Sequence, residues 1–180
     1  MKAVLDACVL YPTVLREILI GAAREGLYQP LWSARILEEW ARAAARRNPA
    51  DEAFARGEIA LLRARFPKAE IAAQPGLEAR LHLPDENDIH VLAVAIAGSA
   101  DAIVTLNAQD FPRGTLAGEG LERRDPDGFL WQLLSEQPEP MTRIVEAVRL
   151  EAERLSGVPQ PLRALMKRAR LPRLGKALAG

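Results

Sequence analysis

Residues 83–111, LPDENDIHVLAVAIAGSADAIVTLNAQDF, set five carboxylates around two apolar runs: Asp85, Glu86, Asp88, Asp101 and Asp110. A sixth, Asp6, closes the first apolar run of the chain, KAVLD. Acidic side chains in such places either cap helices and face water, or converge on a cation. A converging set made only of carboxylate oxygens suits magnesium or manganese rather than softer metals. Other chemistries lack their parts. The single Cys8 excludes a disulfide framework and a multi-cysteine zinc site, and two histidines, His82 and His90, do not make a His-rich one. No G-x-G-x-x-G follows the first apolar run and no G-K-[ST] occurs, so the phosphate cradles of dinucleotide and P-loop proteins are missing. An aspartyl nucleophile for phosphoryl transfer would want a second acid two residues on, and Asp6-Ala7-Cys8 does not supply it.

Each acidic residue also has a plainer role. Asp6 suits the cap of a following helix. Asp85 suits an N-cap, and Asp88, three residues later, sits where a capping-box carboxylate reaches back. Glu38 and Glu39 lie off the centre of the apolar face defined by Ile36, Leu37, Trp40, Ala43 and Ala44, and periodicity does not choose between them. His82 and His90 read as structural or peripheral, and Cys8 as a small buried hydrophobe.

The elements that position these groups alternate between short apolar runs and helix-period segments. KAVLD (2–6) reads as a buried strand, followed by a helix through Leu15, Ile18, Leu19, Ala22 and Ala23. LYQPLWS (27–33) is an edge strand on account of Pro30. Ser33 caps a helix from Ala34 to Arg47, ended by Asn48-Pro49; a further helix runs from Asp51 to Phe66, and KAEIAA (68–73) is a candidate third strand. Asp85 opens a nearly all-apolar helix that stops at Gly98. The strand ADAIVT then delivers Thr105 and Asn107, and a weaker one follows near Leu121–Arg124. Asp125-Pro126 opens another helix, and after QPEP come a long helix to about Leu155, a linker and two short helices split at Pro172. This order predicts an α/β fold with a central parallel sheet, in which ligands sit outside the carboxyl ends of the strands. Asp6 and Asn107 then share one rim.

KAVLDACVLYP, WSARILEEW and LPDENDIHVLAVAIAGSADAIVTLNAQDFP, in this order, resemble a bacterial PIN domain of the VapC toxin type. RDPDGFLWQLL and VPQPLRALMKRARLPRLGKAL resemble the helical C-terminal extension of one VapC-like subgroup, so the likeness covers essentially the whole chain. It implies a three-layer α/β/α PIN-like domain over residues 1–136 and a helical extension with a basic tail over 137–180. It further implies a divalent-metal-dependent endoribonuclease using Mg²⁺ or Mn²⁺, the toxin of a toxin–antitoxin pair, with a cognate antitoxin and a homodimeric state. Carried over position by position, the catalytic and metal-binding acids are Asp6, Glu39 and Asp88, and the likeness prefers Glu39 to Glu38. The frequent fourth acid is replaced by Asn107. Either Asp110 compensates or Asn107 ligates through its amide oxygen. Thr105 would position water or a ligand.

Charge adds a second theme. Formal net charge is zero, yet residues 161–180 hold six of the 24 basic residues and no acid, which leaves 18 basic against 24 acidic, net −6, in the first 160. A polyanionic RNA needs cations to hold its backbone. The candidates are Arg16, expected near the acidic rim to contact substrate or buttress a carboxylate, and Arg163, Lys167, Arg168 and Arg170 in the tail. The tail would equally suit packing on the body or meeting an acidic antitoxin. The start reaches Asp6 without the long apolar region of a signal peptide, and no run approaches the ~20 apolar residues of a membrane span, so a cytoplasmic protein is expected. The competing functions are a non-catalytic PIN-like module that binds RNA or protein, and a PIN nuclease of RNA processing without an antitoxin.

Overall fold

A computed structural model describes residues Met1–Ala179, so only Gly180 of the expected extension lies outside it. The fold is a PIN-like three-layer α/β/α arrangement around a parallel sheet, with further helices at the C-terminal end. By its internal packing the chain divides into two compact units. One comprises residues 1–11 and 29–124, the other residues 12–28 and 125–179.

The first unit contains the sheet: β1 (Lys2–Leu5), β2 (Gln29–Leu31), β3 (Ala102–Val104) and β4 (Glu122–Arg124), in the order β2-β1-β3-β4 and all parallel. The apolar β1 and β3 are the two central strands and are almost wholly buried, as a sheet covered on both faces requires. Pro30 has no N–H to give a second neighbour, and β2 is accordingly an edge. The segment KAEIAA does not form the expected strand. It makes one isolated bridge, Trp32 to Glu70, because it lacks the run of pairing partners a strand needs.

Beyond the short α1 (Ala7–Leu10), the helices of this unit follow their local signals. Ser33 accepts a hydrogen bond from the Ile36 N–H at 3.2 Å and starts α3 (Ala34–Arg47). Asn48 caps α4 (Pro49–Arg65) through the Ala50 N–H. A single-turn α5 (Pro75–Glu78) precedes the acidic segment. There the helix does not run straight from Asp85: residues Glu86–Asp88 form a 3-10 turn, and α6 (Ile89–Ala97) follows. Residues 90–95 of α6 are buried all round, which fixes the first turn of this helix against the sheet that α6 packs on. A final helix, α7 (Arg113–Gly118), leads to β4.

The second unit contains α2 (Thr13–Arg24), α8 (Pro126–Glu136), α9 (Pro138–Ser156), α10 (Leu162–Arg168) and α11 (Pro172–Leu178). Gly21 lets α2 approach α9 closely, since a Cβ there would lie 2.6 Å from Ile144 Cγ2. Tyr28 packs edge-on against Phe129 with ring centroids 5.0 Å apart, and its hydroxyl donates to the Leu19 carbonyl. Asp127 at the start of α8 accepts the backbone N–H groups of Arg173 (2.8 Å) and Leu174 (2.9 Å), thereby capping α11 from another helix. The Arg173 guanidinium lies 3.6 Å over the Trp131 ring. The basic tail is thus folded onto α8. Arg170 ends α10 with φ +61°, while the Leu171 N–H returns to the Met166 carbonyl and the Arg170 N–H to Lys167. Glycine normally fills that left-handed position, and an L-residue there costs about 1–2 kcal/mol. No helix among the described residues is long and apolar enough to cross a membrane.

Candidate metal centre

The reversal of strand order between β1 and β3 opens a crevice at their carboxyl ends, where parallel sheets hold ligands. Asp6 follows β1 and Thr105 follows β3, and both are buried. The Asp6 N–H extends the ladder by donating to the Val104 carbonyl at 3.2 Å. Across the same gap the Thr105 hydroxyl donates to Asp6 Oδ2 at 2.7 Å and accepts from the Asn107 N–H at 2.9 Å. The Cys8 thiol also donates to Asp6 Oδ2, at 3.1 Å, and its sulfur accepts from the Leu106 N–H. Burial first, and the Asp6 charge second, push the Cys8 thiol up to about 12. It stays protonated at neutral pH and serves as a donor, not as a thiolate ligand or nucleophile.

The second approach to the site comes from the turn before α6. Asp85 Oδ1 accepts from both the backbone and side-chain nitrogens of Asn87, each at 2.9 Å, and so shapes the turn. Asp88 makes no capping hydrogen bond, contrary to its capping-box reading. The 3-10 turn replaces the helical first turn in which a reach back to residue 85 would occur. Instead Asp88 Oδ2 is buried without a hydrogen-bond partner. Burial, followed by the charges of Asp6, Asp85, Asp110 and Glu39, pushes its carboxyl up to about 6. One oxygen from each of Asp85, Asp88 and Asp110 lies within 4.8 Å of the other two.

Asp110 reaches this group from the loop after β3. The Asn107 amide donates to Asp110 Oδ2. Arg123 on β4 donates to the carbonyls of Ala108 (2.6 Å) and Phe111 (3.1 Å), and the buried Phe111 ring anchors the end of the loop. On the other side, α3 supplies Glu39. Its Oε1 lies 3.0 Å from Nε2 of the buried His90, at ion-pair distance but outside hydrogen-bond alignment, and 3.2 Å from Arg35 Nε. Burial raises the Glu39 carboxyl, but His90 and then Arg35 outweigh it and hold the group below its usual range. Arg35 Nη2 also donates to the Asn87 carbonyl at 3.2 Å, tying α3 to the acidic turn. Glu38 turns away from the site, and Arg56 of α4 together with Arg42 of α3 holds its carboxyl down at about 2.

Asp85, Asp88 and Asp110 thus come within ligand reach of one another, while Asp6 and Glu39, which are not in that cluster, lie near enough for their charges to raise the Asp88 carboxyl; Thr105 and Asn107 brace Asp6 and Asp110. Arg35 and Arg123 are supporting residues for which no role was expected from sequence, and His90, expected to be structural or peripheral, stands beside Glu39. Arg16 lies in the second unit, buried, with its Nε 3.5 Å from Glu17 Oε1. Arg163, Lys167, Arg168 and Arg170 also belong to that unit and are exposed. The donor set fits a hard divalent cation: it is all oxygen, mutually repelling, and includes a buried carboxylate oxygen that no protein donor satisfies.

A parallel sheet with acidic side chains at its switch point is an architecture that can hold a hard divalent cation. A family model described as PIN domain matches residues 2–109, more than half of the chain. The chain belongs to the PIN domain family, whose members are generally metal-dependent nucleases. No curated protein and no solved structure gives a significant match.

Proposed function

We propose that the protein is a divalent-metal-dependent endoribonuclease that hydrolyses RNA phosphodiesters, and that it acts in the cytoplasm as the toxin of a toxin–antitoxin pair. The observation that carries the nuclease reading is Asp88 Oδ2, buried and unpartnered among four further carboxylates. Holding that oxygen charged without a cation is unfavourable.

In this reading Asp6, Glu39 and Asp88 hold Mg²⁺ or Mn²⁺, and Asp110 stands in for the acid that Asn107 replaces. The Asn107 amide orients Asp110 by donating to it. Thr105 fixes the rotamer of Asp6, leaving the other carboxylate oxygen for the ion. Asp85 shapes the turn and adds negative charge. A divalent ion in such a site lowers the pKa of water and stabilises charge on a phosphodiester. Nothing among the residues of the crevice offers a competing nucleophile, since the Cys8 thiol is held protonated.

The toxin reading rests on the ordered likeness to VapC-type sequences, which also supports a cognate antitoxin and a homodimer. The test has two arms. Purified protein is incubated with structured and single-stranded RNAs in Mn²⁺, Mg²⁺ or EDTA, beside Asp6→Asn, Asp88→Asn and Asp110→Asn. Metal-dependent cutting lost in the first two variants supports the nuclease, and loss in the third supports Asp110 as the replacement acid. Cutting that survives Asp6→Asn and Asp88→Asn would overturn the site, and absence of both cutting and Mn²⁺ binding favours a binding module. In the second arm, induced wild type arrests growth and Asp88→Asn does not. Growth arrest by neither protein removes the toxin role while leaving the nuclease standing.

A further inference from the structure

Residues 161–180 carry six cations and no acidic residue. Arg163, Lys167, Arg168, Arg170, Arg173 and Lys176 are all exposed, and none forms an ion pair with a carboxylate among the described residues. Elsewhere arginines commonly pair within their own helix, as Arg149 does with Glu146 and Glu153 and Arg154 with Glu151. Arg163 and Lys167 are four residues apart on α10, so they share a face. Arg170 follows just beyond its end.

Two features argue that this array is built rather than incidental. First, it is held in place: Asp127 caps α11, and Arg173 lies over Trp131. Second, Arg170 occupies the left-handed position that ends α10, where glycine would relieve strain. A cation is kept there against a local backbone preference.

The surface chemistry selects the partner. Leu165, Met166, Leu171 and Leu174 are buried and Leu162 and Leu178 half-buried, so within residues 161–179 no large hydrophobic side chain is exposed; the nearest exposed ones, Leu155 and Val158, lie before the segment. Protein interfaces take their energy from a desolvated apolar or aromatic centre, which this face lacks. A phosphodiester backbone asks only for charge and donors. We infer that α10, α11 and Arg170 between them form a binding surface for the RNA phosphate backbone. The choice of RNA rests on the proposed ribonuclease activity, whereas the affinity for a polyanion rests on the array itself.

The test measures binding of a fluorescently labelled single-stranded RNA to the full chain in EDTA, over a series of salt concentrations, so that no cutting is required. Arg163→Gln, Lys167→Gln and Arg170→Gln are combined in one variant. The control combines Arg46→Gln, Arg65→Gln and Lys68→Gln, which remove the same charge from α3, the end of α4 and the residues after it. The expected result is weaker binding for the tail variant, with a salt slope lower by about 2, at roughly 0.7 per phosphate contact. The control keeps the wild-type slope. Arg170→Gly separates folding from binding: it raises the melting temperature and still weakens RNA binding. An unchanged slope in the tail variant, or an equal loss in the control, overturns the inference. If the surface stands while cutting fails in metal, the fault lies with the ribonuclease reading alone.

Discussion

Thr105 bridges the two central strands of the sheet by donating its hydroxyl to Asp6 at 2.7 Å, one residue beyond the end of each strand. The bond joins positions 99 residues apart in sequence. It also leaves one Asp6 oxygen committed and the other available. Thr105→Val keeps the shape but removes the donor to a charged acceptor, for an expected loss of about 1.5–3 kcal/mol. Urea denaturation and Mn²⁺ titration calorimetry measure the stability loss and the accompanying fall in metal affinity. Thr105→Ser restores both. A Thr105→Val protein that binds metal as wild type does would remove the positioning role.

Asp88 makes stability depend on pH. An ordinary aspartate titrates near 3.8, and the folded Asp88 near 6. Between these values the folded state keeps a proton that the unfolded state has lost. Metal-free stability therefore falls as pH rises from about 4 to about 6 and does not recover above that through this group. Asp88→Asn is expected to melt above wild type at pH 7.5 in EDTA, with the gap closing towards pH 4. Adding Mn²⁺ should raise the wild-type melting temperature more than that of the variant. Superimposable pH profiles in EDTA would rule this account out.

Glu38 and Glu39 are neighbours with opposite allegiances. Glu38 is bound by Arg42 and Arg56 on the exposed α3–α4 face, while Glu39 faces His90. Glu39→Gln should weaken Mn²⁺ binding, measured by electron paramagnetic resonance of the free ion, and Glu38→Gln should leave it unchanged. Equal effects would mean that charge near the site matters and position does not.

Arg35 joins Glu39 to the Asn87 carbonyl, with 3.2 Å to each. Removing a partner that orients a metal ligand typically lowers affinity 10–100-fold, and Arg35→Ala is expected to fall in that range of about 10–100-fold. Lysine has a single nitrogen and no planar fork, so Arg35→Lys should recover little. Retention of full affinity in Arg35→Ala would show that the turn holds Asp88 unaided.

The sheet and most helices were legible because the relevant signals are local. Ser33 and Asp125 cap the helices they were expected to open, whereas Asn48, expected only to end α3, also caps α4, which starts at Pro49 rather than Asp51. Apolar runs at 3–5 and 102–104 became the central strands. KAEIAA misled because an apolar-rich run gives no account of whether a neighbouring strand is free to pair with it. In the site, spacing alone left Asp88 as readily a cap as a ligand, and left Glu38 and Glu39 tied. Both questions turn on long-range contacts: the burial of Asp88 Oδ2, and the close approach of Glu39 on α3 to His90. His90 had one faint signal, its place on a helix apolar nearly all round. Arg35 had its four-residue spacing to Glu39, while Arg123 had none, because a backbone carbonyl as partner leaves no mark on the sequence.

The second unit is assembled from residues 12–28 and 125–179, with residues 29–124, the larger piece of the sheet-bearing unit, between its two pieces. During synthesis α2 leaves the ribosome early, while α9, whose Ile144 meets Gly21, emerges more than a hundred residues later. The surface of α2 that packs on α9 waits uncovered for that interval. Translation that stops short of α9 leaves an N-terminal helix with an apolar face and no cover, a target for chaperones and proteases.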